Sequence, residues 1–402
     1  MESSAGIISM GGYLPAKEIN GGRKDKLVSF LNHEISFPVE YIEHIDTQNK
    51  LPGTIETNYD GWEKQPWFQA WLARIPAKKR DDPFQGAKER RRVPLDPASL
   101  RESVIPHPML PSDAETLAGA LALVNGNVNR EDIDLLMVSS QVPDLLLPGN
   151  ASLVQHKLRL KKAGAYNVDT CCSSFVTMLE LASSLVMSGM KKKILIITSY
   201  IDSIVNDKST YYAVNTGDAA VAAVVSAVDK EFGYIASHSI SHGSRHDGVI
   251  FQRRPPELFK SVAHGHDYEK TFVTFYNQEA NREIAINSQK EMTEVVNKLL
   301  EKARLSISDI DFFITHQPVQ WAGEEWREGL GIPEERFYET FKKYGNIANC
   351  AAPVNMLEAV ELGLIKQGDI VLMASPGAGE NCIAVLQRTS SAVIHSLKNE
   401  EK

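Results

Sequence analysis

Three polar residues of this 402-residue chain stand where α/β proteins place chemistry: Cys172, His316 and Asn346. Cys172 follows a short β-like run and begins a predicted helix. A thiol at a helix N-terminus meets the positive end of the helix dipole and free backbone N–H groups, which lower its pKa and favour the thiolate. His316 ends an apolar strand, and Asn346 lies in a Gly-Asn loop before another helix. The position of Cys172 therefore predicts a covalent nucleophile.

Each of the three residues also has an ordinary structural interpretation. Cysteines are usually small buried hydrophobes. A histidine at a strand end is often satisfied by its neighbours, and a Gly-Asn pair is common in turns. Taken singly, these structural roles are the more frequent ones, so only the arrangement of the three residues can decide.

An internal repeat supplies such an arrangement. Residues 132–138 resemble 309–315 at an offset of 177, and 176–180 resemble 354–358 at an offset of 178. A nearly constant offset across separated blocks indicates a tandem duplication of about half the chain. We predict an N-terminal half at 1–228, with an insertion at about 37–88, and a C-terminal half at 229–402.

The repeat relates the candidate residues to one another. An offset of 178 aligns Cys172 with Cys350, so that Asn346 lies just before the counterpart of the nucleophile's helix. An offset of 177 aligns His316 with Ser139, at the end of the equivalent strand. If the halves pack about a pseudo-twofold axis, Cys172, His316 and Asn346 share one pocket.

Both halves show the same order of predicted elements. The strands are expected at 135–139, 193–199, 312–316 and 370–374, and the helices at 173–188 and 352–364. Alternating helices and apolar strands predict an α/β fold with largely buried sheets. The insertion holds three of the five tryptophans, and we predict one short helix in it near 67–73.

Composition narrows the class of protein. A net charge of −8 argues against general nucleic-acid binding. No apolar run is long enough to cross a bilayer, and the first residues lack a signal-peptide layout. Four cysteines without a Cys-x-x-Cys pair predict neither a disulfide framework nor a zinc site. We expect a cytoplasmic protein without a metal or other cofactor.

A basic cluster could bind phosphate groups or an acidic carrier protein, although a solvated charged face fits it equally well. The cluster comprises Lys78, Lys79, Arg80, Lys88, Arg90, Arg91 and Arg92.

Taken together, these blocks resemble the ketoacyl-acyl-carrier-protein synthase III group of the thiolase superfamily. The resemblance covers nearly the whole chain except the insertion. It rests on the segment 166–175 around Cys172, on Thr315-His316-Gln317, on Tyr344-Gly345-Asn346, on Gly217-Asp218-Ala219-Ala220 and on the glycine loop 375–379.

The resemblance implies a thiolase fold, with a duplicated five-layer αβαβα architecture, and a homodimer. It implies Cys172, His316 and Asn346 as catalytic residues, with an oxyanion hole formed by the backbone N–H groups of Cys172 and Gly377. The implied reaction loads an acyl group on Cys172 and joins it to a malonyl-type or β-ketoacyl thioester. The implied partners are acyl thioesters of acyl carrier protein or coenzyme A, in fatty-acid, polyketide or other specialised metabolism. No nucleic acid or membrane partner is expected.

Several positions depart from the family pattern. Pro318 and Trp321 stand in a segment where the family has Ala-Asn and a basic residue. Arg80 and Phe84 replace the Trp and Arg that contact coenzyme A in the family, which favours a carrier-protein donor. We predict substrate or carrier contacts at Phe84, Arg90, Arg91 and Trp321.

Two other functions stay open at the level of sequence. The first is an acyltransferase on the same fold, which passes the acyl group to a hydroxyl or amine with His316 as general base. The second is a non-catalytic partner subunit that supports an active twin, although such a subunit need not keep all three catalytic-type residues.

Overall fold

A computed structural model describes residues 4–32, 37–56, 64–66, 68–73, 75–77, 89–94, 109–205, 214–253, 271–274 and 277–397. The strands are β1 Ser4–Tyr13, β2 Thr54–Glu56, β3 Arg90–Arg92, β4 Leu135–Ser140, β5 Gly164–Asn167, β6 Lys193–Tyr200, β7 Ala219–Val228, β8 Gly233–Ser241, β9 Ile250–Arg253, β10 Thr271–Thr274, β11 Phe312–Thr315, β12 Ile370–Gly377 and β13 Asn381–Arg388. The helices are α1 Gly21–Asn32, α2 Val39–Gln48, α3 Phe68–Leu72, α4 Pro111–Asn125, α5 Ala151–Lys157, α6 Ser174–Met187, α7 Gln278–Ala303, α8 Ala322–Leu330, α9 Phe341–Tyr344, α10 Ala351–Glu361 and α11 Ser391–Leu397.

Two mixed sheets form the frame of the molecule. The first has the strand order β1-β7-β6-β4-β5, and the second has the order β11-β12-β13-β8. Each sheet joins a parallel pair to an antiparallel pair, β4–β6 with β6–β7 in the first and β11–β12 with β12–β13 in the second. Each sheet takes its strands from one side of the predicted division at 228/229, and that division itself stays a prediction.

A constant offset of 177 relates the elements of the two halves. The 3₁₀ turn Cys171–Ser173 and the helix α6 correspond to the turn Ala348–Cys350 and the helix α10. The starts of β6 and β12 are separated by the same offset. The duplication predicted from the sequence is therefore present in the fold.

Backbone geometry corrects one detail of the predicted alignment. Cys171 has a φ of 55°, and Ala348 has a φ of 44° at the same offset of 177. Positive φ is uncommon in residues other than glycine, so this pair is a strong marker of equivalence. Cys172 therefore corresponds to Asn349, and the predicted alignment of Cys172 with Cys350 was wrong by one residue.

The apolar residues divide into three layers of core. In β6, Ile194 and Ile196 pack into a central core, whereas Leu195 and Ile197 pack into an outer one. Successive side chains of a strand point to opposite faces, so a strand buried on both faces must be apolar throughout. The helices α6 and α10 fill the central layer, and a third core lies beneath α7 on the far side of the second sheet.

The described residues of the predicted insertion form short elements. The helix predicted near 67–73 is present as α3, and α2 is an additional helix that the sequence pattern did not reveal. The strand β2 pairs with β3 in an antiparallel register, so the insertion is joined to the segment Arg90–Arg92. In the part of the chain described here, no helix is both long enough and apolar enough to span a bilayer.

Candidate active site

Cys172 lies in the 3₁₀ turn that leads into α6. A hydrogen bond fixes the start of this turn: the Cys171 N–H donates to Asp169 Oδ1 at 2.8 Å. Cys172 itself is half-buried and packs against the central core, while the next residue, Ser173, is fully buried. Its thiol is therefore presented at the start of a long helix, as the sequence predicted.

Cys171 and Cys172 form a close thiol pair, with 3.8 Å between the two sulfur atoms. Their mutual hydrogen bond lowers the pKa of Cys171. The same bond, together with burial, raises the pKa of Cys172 well above its usual value, so the lowered pKa predicted from its place at a helix start was wrong. The first proton of the pair is therefore lost readily, and the second is lost with difficulty. The two sulfurs share the single negative charge that results. Attack by Cys172 requires only that the remaining proton reside on Cys171.

His316 directly follows β11 and is buried, with 3% of its surface exposed. Thr315 pairs with Ala374 of β12, so His316 lies level with Ser375. The Ser375 hydroxyl donates to the Cys172 carbonyl oxygen at 3.1 Å. The parallel pair β11–β12 therefore brings His316 to the strand end that contacts the turn of Cys172.

Burial lowers the pKa of His316 to about 3, and a hydrogen bond with the Ala348 backbone opposes this shift only partly. The imidazole is consequently neutral near pH 7. Its Nδ1 has no hydrogen-bond partner among the described residues. A neutral imidazole carries one N–H, so the partnerless Nδ1 can form one hydrogen bond with a ligand, as a donor in the tautomer that has its proton on Nδ1.

Asn346 lies beside the segment that follows His316. Its Oδ1 accepts the Ala348 N–H at 2.9 Å, and its Nδ2 donates to the Pro318 carbonyl oxygen at 3.3 Å. An amide nitrogen carries two hydrogens, so one of them remains for a ligand. Asn346 and His316 thus both contact the backbone of Ala348.

The glycine before Asn346 is required by the backbone. Gly345 has a φ of 68° and a ψ of −151°, a region open essentially only to glycine. A Cβ there would lie 2.3 Å from the Asn215 carbonyl oxygen, which accepts the Asn346 N–H at 2.7 Å. The Gly-Asn pair is therefore fixed by close packing as well as by turn geometry.

The glycine loop after β12 contacts the Cys172 turn. A Cβ on Gly377 would lie 2.4 Å from the Thr170 carbonyl oxygen and 2.9 Å from Ser173 Oγ. The Ala378 backbone hydrogen-bonds both thiols and lowers the pKa of each. Ala378 was not among the predicted site residues. The one sequence feature that could have indicated it is its place after Gly377 in the glycine loop.

The internal duplication supplies a second copy of this arrangement without the chemistry. Asn349, the counterpart of Cys172, donates from Nδ2 to the carbonyl oxygen of Ser139, the counterpart of His316, at 3.0 Å. Asp169, the counterpart of Asn346, accepts the N–H of the positive-φ residue in the same way as Asn346 does. His316 and Asn346 both contact the Ala348 backbone, and Ser375, level with His316, contacts the Cys172 backbone. The shared pocket of Cys172, His316 and Asn346 stays a prediction.

The predicted binding residues have different surroundings. Arg90 is fully buried, and its Nε donates to the Val214 carbonyl oxygen at 2.6 Å. Arg90 is therefore not part of a solvated basic face, and its predicted contact with substrate or carrier stays a prediction. Arg91 lies over the Tyr344 ring at 5.3 Å, and Trp321 is half-buried at the start of α8. Phe84 lies outside the described residues.

Comparisons with known proteins find similar sequences over most of the chain. Residues 166–243 match the family model of 3-oxoacyl-[acyl-carrier-protein] synthase III, and residues 300–389 match the model of its C-terminal part. A beta-ketoacyl-[acyl-carrier-protein] synthase III of Caldanaerobacter subterraneus is 30% identical over 336 residues, which cover 83% of this chain and 94% of the relative. A Clostridium perfringens protein of the same name is 31% identical over 67% of this chain and 81% of its own length.

A solved structure gives the same picture. The crystal structure of 3-oxoacyl-[acyl-carrier-protein] synthase III from Aquifex aeolicus superposes with a TM-score of 0.69 and 25% identity. The superposition covers 96% of this chain and 100% of that one. The matched relatives therefore span both halves of the duplication.

Proposed function

Because the chain belongs to the 3-oxoacyl-[acyl-carrier-protein] synthase III family, we propose that it is an acyl-thioester condensing enzyme. Its fold is the thiolase-type α/β fold predicted from the sequence. In this proposal Cys172 accepts an acyl group, and His316 and Asn346 bind the second thioester. The enzyme then forms a carbon–carbon bond between the two groups.

One observation carries the proposal: His316 is buried and neutral, and it shares the Ala348 backbone with the Asn346 amide as a hydrogen-bond partner. A histidine with a pKa of about 3 is a poor base for a hydroxyl or amine acceptor. A neutral imidazole and an amide both donate hydrogen bonds to an oxyanion, which is what an enolate requires. The site therefore favours condensation over transfer to oxygen or nitrogen.

The loading step takes place at Cys172. The Cys172 thiolate attacks the carbonyl carbon of an acyl thioester, and the carbon–sulfur bond to the carrier thiol breaks. The backbone N–H groups of Cys172 and Gly377 are the proposed donors to the tetrahedral oxyanion. The carrier thiol leaves with a proton, and the acyl group stays on Cys172.

The condensation step uses the other half of the chain. A malonyl-type thioester loses carbon dioxide, and its electron pair forms an enolate whose oxygen accepts hydrogen bonds from His316 and Asn346. The enolate carbon attacks the acyl carbonyl on Cys172. The Cys172 thiolate leaves, and a β-ketoacyl thioester is released. A β-ketoacyl partner has no carbon dioxide to lose, so the same type of intermediate would require transfer of its acidic α-proton to solvent water.

A panel of acceptors tests the type of reaction. Enzyme acylated on Cys172 is offered a malonyl thioester, a β-ketoacyl thioester, an alcohol and an amine in turn. The proposal expects a product with a new carbon–carbon bond from one of the thioesters. An ester or amide, with no carbon–carbon product from any donor, would establish the acyltransferase function instead.

We further propose that the substrates are carried by acyl carrier protein or coenzyme A, and that the protein acts in the cytoplasm. The family supports a role in fatty-acid or polyketide synthesis. The chain keeps Cys172 in its N-terminal half and both His316 and Asn346 in its C-terminal half. A non-catalytic supporting subunit would not need to keep all three.

The buried neutral state of His316 has a measurable effect on stability. An unfolded histidine takes up a proton near pH 6.5, whereas folded His316 does so only near pH 3. The contribution of His316 to folding is thus complete above about pH 6.5 and is lost as the pH falls towards 3. Between pH 8 and pH 5, wild type should lose about 2 kcal/mol more unfolding free energy than His316→Asn.

Denaturant unfolding of both proteins at the two pH values measures this difference. The matched variant is necessary because burial raises the pKa of Glu115 and of Glu380 to about 7. Those two carboxyl groups change stability with pH in the opposite direction, and they are present in both proteins. Equal pH dependence of wild type and His316→Asn would show that His316 is not held neutral.

We propose that the protein is a homodimer that pairs through β5. The family resemblance implied a homodimer, and β5 forms an edge of the first sheet, whereas the apolar strand β6 lies inside it. The N–H groups of Gly164 and Val168 donate to the β4 side, so those of Ala165 and Asn167 point away from it. Leu147, in the adjacent loop, is 88% exposed. An exposed edge beside apolar residues suits pairing with a second copy.

Ala165→Pro should convert the dimer to a monomer, because it removes an outward N–H while keeping the bonds to β4. Light scattering should give wild type twice the chain mass of 44.6 kDa. Ala165→Val keeps the N–H and should stay dimeric. Wild type with a monomer mass at micromolar concentration would contradict the proposed assembly, and a dimeric Ala165→Pro would contradict the proposed edge.

A further inference from the structure

The thiol of Cys171, which neighbours the proposed nucleophile, is not required for the fold of its turn. Ala348, the counterpart of Cys171, has nearly the same positive φ, 44° against 55°. The Ala348 N–H donates to Asn346 as the Cys171 N–H donates to Asp169. The turn therefore folds without a thiol at this position, and the chemistry of Cys171 calls for a separate explanation.

The two thiols are arranged for reaction with each other. Their sulfur atoms are 3.8 Å apart, and both residues are half-buried. Cys171 Sγ is also 3.4 Å from Gln141 Oε1, which accepts its S–H. Cys350 and Cys382, by contrast, are buried. The pair is thus the accessible dithiol of the described residues.

The electrostatics of the pair favour oxidation of one sulfur at a time. The hydrogen bond between the thiols lowers the pKa of Cys171, and the Ala378 backbone acts in the same direction. Asp169 faces the pair and opposes a second negative charge. One thiolate beside one thiol is the state in which a peroxide reacts and a neighbouring sulfur resolves the product.

We propose that Cys171 and Cys172 are a peroxide modification site that closes into a disulfide. One thiolate attacks hydrogen peroxide, the O–O bond breaks, hydroxide leaves, and the sulfur becomes a sulfenic acid. The second sulfur then attacks the sulfenic sulfur and displaces its oxygen as water. The two sulfurs are oxidised by two electrons in all, and the peroxide is reduced to water.

The disulfide protects the nucleophile from irreversible oxidation. Without a neighbouring thiol, a cysteine sulfenic acid is open to further oxidation to sulfinic acid, which thiols do not reverse. Adjacent Cα atoms are about 3.8 Å apart, less than the roughly 4.4–6.8 Å usual in disulfides. Such a bond is strained and therefore easily reduced by a dithiol. Oxidation at this site is consequently reversible.

Peptide mass analysis tests the modification directly. Reduced wild type is treated with a small excess of hydrogen peroxide, its free thiols are blocked with iodoacetamide after unfolding, and the peptide holding both residues is measured. We expect this peptide to have lost two hydrogens and to carry no alkyl group. Dithiothreitol should restore both alkylation sites and at least about nine-tenths of acyl uptake.

Cys171→Ala provides the comparison, and Cys382→Ala matches it in the number of cysteines. In Cys171→Ala, Cys172 should gain oxygen atoms, and less than about a tenth of its acyl uptake should return with dithiothreitol. Cys382→Ala should behave as wild type does. Sulfinic acid on Cys172 of wild type, or equal recovery of wild type and Cys171→Ala, would overturn the proposal. The mass of the peptide detects the disulfide without any assay of activity. This test therefore decides the proposal even if the protein takes up no acyl group.

Discussion

Cys172→Ala is expected to take up no acyl group, whereas wild type takes up one. The substitution removes the sulfur that forms the thioester and leaves the start of α6 unchanged. Removing a covalent nucleophile costs on the order of 10⁴-fold or more in rate. Intact mass after incubation with a panel of acyl thioesters measures the uptake, and peptide mapping locates it.

Two cysteine variants serve as controls for this prediction. Cys171→Ala should still load within about tenfold of the wild-type rate, because Ala348 shows that the turn tolerates alanine there. Cys382→Ala, a buried cysteine outside the turn, should load as wild type does. An acyl group mapped to Cys171, or undiminished loading of Cys172→Ala, would show that the nucleophile is a residue other than Cys172.

His316→Ala and Asn346→Ala are expected to load normally and to fail in the second step. Each loses one donor to the enolate oxygen, which costs roughly 10²–10³-fold in rate for an oxyanion donor. Because the two side chains meet at Ala348, the double variant should lose less than the product of the two single losses. Release of labelled carbon dioxide from a malonyl thioester by acylated enzyme measures the step.

His395→Ala is the control for the histidine substitution, since His395 is exposed on α11. It should release carbon dioxide at the wild-type rate. Variants at His316 and Asn346 that load poorly but decarboxylate at the wild-type rate would contradict the proposal. They would show that these residues act in loading and not in the second step.

Much of the frame was predictable because the strands are buried on both faces. The predicted strands at 193–199 and 370–374 are present as β6 and β12, and the predicted helix at 173–188 is α6. Continuous apolar runs of this kind have few alternatives in an α/β protein. The repeat then related the two halves and indicated a common pocket.

The register of the repeat was predictable only to within one residue. The helices α6 and α10 are apolar on most sides because both lie in the central layer. A hydrophobic pattern without a polar face does not fix the rotation of a helix, so an offset of 178 fitted as well as 177. Only the positive φ at Cys171 and Ala348 settled the alignment.

The burial of Arg90 was not predictable, for a different reason. Charged residues are mostly exposed, so Arg90 in a basic run predicts a solvated face. Its burial depends on the pairing of β2 with β3 and on backbone carbonyl groups such as that of Val214, which are distant in sequence. The contacts of Ser375 with the Cys172 backbone likewise join residues 203 positions apart.

The most direct test of condensation is a single turnover with stoichiometry. Wild type acylated on Cys172 is freed of excess donor and mixed with a malonyl thioester labelled in its free carboxyl group. The proposed mechanism predicts one labelled carbon dioxide for each acyl group lost from Cys172, together with one β-ketoacyl product. Loss of the acyl group to a hydroxyl, an amine or water, without carbon dioxide and without a carbon–carbon product from this or a β-ketoacyl donor, would contradict it.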